Sequence, residues 1–83
     1  MKMKILTDKF LQRLGRNIRQ HRIAAYQTQA ALSARATISA AHLSAIERGK
    51  RSASVLCLVR LAKALQTTTE KLCEQIEDKT RQR

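Results

Sequence analysis

Two cysteines, two histidines and six carboxylates are the side chains of this chain best suited to metal binding or acid–base catalysis. A zinc site takes about four ligands. Cys57, Cys73, His21 and His42 would all be needed, and no CxxC or HxxxH spacing joins them. Four acids, Glu70, Glu74, Glu77 and Asp78, cluster near the C-terminus as a solvated helix face, which leaves no carboxylate pair for acid–base work. Gly15 and Gly49 stand too far apart to form a phosphate-cradling loop. Cys57 and Cys73 each lie among apolar residues in helical patterns and read as small buried thiols. A disulfide scaffold of this size carries more cysteines. The expectation is a protein that is not an enzyme, with no metal, no cofactor and no small-molecule ligand.

The remaining chemistry is cationic. Lys and Arg number 17 against 6 Asp and Glu, a net charge of +11 over 83 residues. From Lys9 to Thr69 there are eleven basic residues and one acid, Glu47. A surface so one-sided repels itself unless it meets a polyanion. Nucleic acid fits, because Lys and Arg gain by releasing its condensed counterions. An anionic membrane would require an apolar face left free for lipid, whereas here the apolar stripes recur in short segments that can bury one another. Single-stranded nucleic acid is gripped mainly through stacking aromatics, and Phe10 and Tyr26 are the only two. Double-stranded DNA is therefore the leading partner, ahead of RNA.

The elements that must position these cations read as helices. Apolar residues make up 43% of the chain and Pro is absent, so an ordered helical domain is favoured over a basic tail. The longest apolar run, Val55 to Val59, is far short of the roughly 18 residues of a membrane span. No apolar stretch of a secretory signal follows Met1, and the expected location is cytoplasmic. Thr7 or Asp8 can cap a first helix running to about Ala24, with Leu11, Leu14 and Ile18 as its stripe. Thr28 caps a second, Gln29 to about Arg35, buried through Leu32 and Ala36. Residues 37–39 then form a turn with Ile38 inward. Ser39 caps a third helix, Ala40 to Arg48, with Leu43 and Ile46 inward and Gly49 in the left-handed position after it. Ser54 caps a fourth, with Val55, Leu58, Val59, Ala62 and Leu65 on one side. Thr68 or Thr69 starts a fifth, with Leu72 and Ile76 apolar. The fold class is all-α, a compact five-helix domain. Residues 1–8 form an N-terminal tail, 9–78 the DNA-binding domain and 79–83 a polar C-terminal tail.

Two short helices joined by a tight turn within five helices is the layout of a DNA-reading helix-turn-helix. Residues 28–33, Ile38-Ser39, residues 43–51 (Leu-Ser-Ala-Ile-Glu-Arg-Gly-Lys-Arg) and residues 58–65 resemble the Cro/lambda-repressor-like, or xenobiotic-response-element, family. The resemblance runs from about Leu11 to Leu72. It implies a lambda-repressor-like domain whose third helix enters the major groove through Ser39, Ala40, Ala41, His42, Ser44 and Ala45. Thr28 and Gln29 at the start of helix two, and Arg48, Lys50, Arg51 and Ser52 after helix three, would hold phosphates. Arg22 and Glu47 correspond to an interhelical ion pair, which would explain the single acid of the basic window.

Several positions depart from the family pattern. Ala40, Ala41 and Ala45 stand where relatives often carry Gln, Arg or Thr, and an alanine can meet only a thymine methyl. Direct readout then falls to His42, Ser44 and Arg51 or Arg48, with DNA shape supplying the rest. Tyr26 and Thr37 replace common glycines, Gln27 a common apolar residue and Ala53 a common proline.

Relatives pair through their last helices, setting two recognition helices about 34 Å apart. Leu65, Leu72, Cys73 and Ile76 would form that seam in a homodimer, or else complete the core of the monomer. The reading is a sequence-specific transcriptional regulator bound to a palindromic operator. The Arg48-Gly49-Lys50-Arg51 stretch followed by Ser also looks similar to small controller proteins of restriction–modification systems, and phage Cro-like repressors and plasmid or antitoxin-type regulators fit nearly as well. The alternatives are an antitoxin-type protein-interaction module with autoregulatory DNA binding, and an RNA-binding helical domain.

Overall fold

A computed structural model describes the backbone of residues 2–75, with side chains from Thr7 onward. Among the described residues there are five helices and no strand: α1 Lys2–Ala24, α2 Gln29–Ala36, α3 Ala40–Glu47, α4 Val55–Ala64 and α5 Thr69–Leu72. Four helices begin on a hydroxyl cap. The side-chain oxygens of Thr28, Ser39, Ser54 and Thr68 accept from the amides of Ala31, His42, Cys57 and Lys71 at 3.0, 2.9, 3.0 and 3.1 Å. Each satisfies one of the amide donors a helix leaves open at its start.

The first helix begins earlier than its cap residues suggest. Thr7 and Asp8 lie inside α1, and the segment assigned to an N-terminal tail is helical from Lys2. Lys, Met, Ile and Leu fill these positions with no glycine or proline, so nothing stops the helix from extending past an internal Thr.

The helix ends share one closure. Bonds between residues five apart run from Gln27 N–H to Arg22 O, Ile38 to Ser33, Lys50 to Ala45 and Thr67 to Ala62, at 3.2, 3.0, 2.9 and 2.8 Å. Each wraps a left-handed residue: Tyr26, Thr37, Gly49 and Gln66, with φ of 58°, 60°, 76° and 56°. The departures at Tyr26 and Thr37 therefore leave the left-handed geometry in place, without the glycine that favours it.

The core draws on every helix: Leu14 and Ile18 from α1, Leu32 and Ala36 from α2, Leu43 and Ile46 from α3, Cys57, Leu61 and Ala62 from α4, Leu65 after it, and Leu72 from α5. α1 packs on α3 and α5, and α2 on α3 and α4. Gly15 permits the tightest of these approaches. A Cβ there would overlap the Ile46 carbonyl and lie 2.7 Å from that of Glu47. Asn17, buried beside it, donates through Nδ2 to the carbonyls of Leu72 at 2.9 Å and Glu74 at 2.7 Å. One side chain thus ties α1 to the exit of α5.

Two residues expected on a subunit seam lie elsewhere. Leu65 and Leu72 are 9% and 0% exposed, sealed in the core of the monomer, and have almost no surface to offer a partner. Cys73 is half-buried, and Ile76 lies outside the described residues. Both thiols are free. Burial pushes each above its ordinary range, with Arg60 partly opposing the effect at Cys57.

Candidate nucleic-acid interface

α3 divides its residues between two faces. Leu43, Ile46 and Glu47 are buried, while Ser39, Ala40 and Ala41 are exposed and His42, Ser44 and Ala45 half-buried. The helix is thus held on one side and open on the other. Its open side is short and small, since a hydroxyl or methyl is all that five of those six residues carry. The Ser39 hydroxyl is already committed to the cap bond with His42. That leaves the His42 ring and the Ser44 hydroxyl as the polar groups of this face, and Ser44 Oγ accepts a long 3.4 Å contact from Arg48 Nε.

Glu47 anchors the rest. Arg22 Nε donates to Glu47 Oε2 at 2.7 Å and Arg22 Nη2 to Oε1 at 3.1 Å, a two-pronged carboxylate–guanidinium pair. The third arm, Nη1, donates to the Gln27 carbonyl at 2.9 Å. Gln29 Nε2 completes the cluster by donating to Glu47 Oε1 at 2.9 Å. The Glu47 side chain is 2% exposed and that of Arg22 13%, so water competes little for either. α1, α2 and α3 are thereby joined at one carboxylate.

Gln29 is placed differently from a free phosphate clamp: one of its two amide hydrogens is directed at Glu47. Its second amide hydrogen is not used in that contact. Thr28 Oγ1 is occupied by the cap bond to Ala31. Arg48, Lys50, Arg51 and Ser52 are all exposed along the segment after α3. Sequence reasoning missed three parts of this arrangement: Gln29 as a partner of Glu47, the Gln27 carbonyl as a partner of Arg22, and the Asn17 clasp. Only the buried position of Asn17, within the apolar stripe Leu14 to Ile18, offered a signal.

Among the described residues no three His, Cys, Asp or Glu side chains group as metal ligands, and no helix is long and apolar enough to cross a membrane. Comparison with known proteins gives the same picture as the geometry. Residues 13–74 match a family model described as a helix-turn-helix domain. Among solved structures, the chain is similar to the restriction-modification controller protein C.AhdI from Aeromonas hydrophila. The TM-score is 0.73 and the identity 27%, over 75% of this chain and 94% of that one. No curated protein sequence matches the chain. With a capped helix pair, an outward third helix and a cationic segment behind it, the chain belongs to the helix-turn-helix domain family and is a DNA-binding regulator, not an enzyme.

Proposed function

We propose that this protein is a sequence-specific transcriptional regulator that binds a palindromic operator as a homodimer, with α3 in the major groove. The observation that carries this reading is the division of α3, whose core face is fixed by Leu43, Ile46 and the Glu47 cluster while Ser39, Ala40 and Ala41 stay uncovered. The small side chains bring the helix backbone close to the groove floor. His42 and Ser44 supply hydrogen bonds to base edges, and Ser39, Ala40, Ala41 and Ala45 supply fit. Thr28 and Gln29 at the start of α2, with Arg48, Lys50, Arg51 and Ser52, hold the phosphates on either side. Residues 9–78 form the DNA-binding unit, with 1–8 and 79–83 outside it.

Similarity to a restriction-modification controller protein supports a regulatory role here. The subunit seam falls to α4, where Val55, Leu56 and Val59 are 78%, 57% and 37% exposed on a mostly apolar helix. Selection of bound sites from random duplexes tests the whole reading. The expected product is two inverted half-sites centred about one helical turn, or a multiple of it, apart. Recovery of unrelated sequences at moderate salt would refute specific recognition.

A further inference from the structure

Arg16, Arg19 and Arg48 converge on one cleft between α1 and the C-terminal turn of α3. The cleft measures about 210 Å³, and Gln12 and Glu47 complete its lining. Gln12, Arg16 and Arg19 follow one another at helical spacing on a single face of α1.

The charges of this cleft do not cancel. The Glu47 carboxylate is engaged by two arms of Arg22 and by Gln29. Among the described residues the Arg22–Glu47 contact is the salt bridge, and Arg16, Arg19 and Arg48 have no carboxylate within reach. All three are exposed. Guanidinium groups gathered without a counter-charge repel one another, and they match phosphate oxygens in both geometry and charge. Arg48 also begins the cationic segment that runs on through Lys50 and Arg51, so the cleft continues the surface already assigned to DNA phosphates.

We propose that Arg16 and Arg19 form a second phosphate-gripping line, contacting the backbone of the same duplex that α3 reads. This rests on the reading of α3 as the groove-entering helix and extends the contact surface onto α1. The contact is independent of sequence. It adds affinity and salt dependence without adding selectivity.

The test is fluorescence anisotropy of the full chain on labelled duplexes over a salt series, comparing wild type with the Arg16→Gln/Arg19→Gln variant. Each phosphate contact contributes about 0.9 to the slope of log affinity against log salt, so the double variant loses about 1.8 per protomer, or about 3.6 for the homodimer. Its preference for selected over random duplex stays at the wild-type ratio. Both side chains are exposed and have no ion-pair partner among the described residues, so the thermal melt stays unchanged. Arg60→Gln/Lys63→Gln removes the same charge from α4 and keeps the wild-type slope.

A wild-type slope in the α1 variant would overturn the proposal, as would an equal loss in the α4 control. It would also be overturned if the α1 variant bound duplex normally but no longer adsorbed to vesicles of phosphatidylglycerol and phosphatidylcholine. A wild-type chain that binds duplex without selecting a sequence would defeat the α3 reading instead, while the change in slope would still report on α1.

Discussion

Glu47 is the acid on which three helices meet, and its environment decides what its loss does. Replacement by alanine strands the Arg22 guanidinium, 13% exposed, without a counter-charge and leaves the Gln29 amide without its acceptor. Breaking a buried pair from one side costs about 3–5 kcal/mol. Glu47→Ala should therefore lower the melting temperature sharply, with little relief at high salt because the pair is shielded from ions. An unchanged melt would remove the brace from the mechanism. Arg51→Ala makes the useful contrast, weakening DNA binding while leaving the melt alone. The Arg22–Glu47 pairing was suggested by family resemblance, since residues 25 apart in sequence do not announce a contact. Gln29 and Asn17 were not readable in these roles. Their partners lie far off in sequence, and local spacing says no more than that Asn17 falls within an apolar stripe.

At the scale of the element, four helix starts were legible and the ends of α1, α2 and α3 fell within a residue of expectation, but most of the left-handed residues that close those ends were not legible. Thr28, Ser39, Ser54 and Thr68 act through bonds to amides three residues on, a local chemistry that sequence spells out. The stops require a left-handed residue, for which glycine is the usual sign, yet only Gly49 among the four carries it. Thr37 is the most costly exception, because a β-branched side chain crowds the backbone at a φ of 60°. A non-glycine residue in this conformation costs about 1–2 kcal/mol, partly offset by the lower chain entropy of the unfolded state. Thr37→Gly should stabilise the fold by about 1 kcal/mol, raising the melting temperature by about 4–8 °C for a domain this small. A melt at or below the wild-type temperature would mean that the turn between α2 and α3 is not held as described. The start of α1 was hidden for the opposite reason, since a run of good helix formers contains no boundary to read.

At the scale of the whole molecule, the question is which apolar surface faces another subunit. Helical periodicity identified Leu65 and Leu72 as apolar-facing residues but could not say whether the face meets its own core or a partner, and the fold places both in the core. Of the large apolar residues left exposed, Val55, Leu56 and Val59 gather on α4, whereas Phe10 and Ile23 lie on α1 and Tyr26 just after it. In a two-fold pairing each residue acts twice. Burying an exposed aliphatic side chain yields about 1.5–3 kcal/mol when complete, and partial burial proportionately less. Val55→Asp/Leu56→Asp should therefore weaken pairing by about 4 kcal/mol, or roughly three decades in Kd. Sedimentation equilibrium should show a monomer, with the helical circular dichroism of the parent, because neither side chain belongs to the core. Salt gives a second signature. Each protomer carries +11, so screening should favour pairing in the free protein while it weakens the grip on DNA. A parent chain that sediments as a monomer at every salt concentration, or a double variant that still pairs, would show that α4 is not the seam.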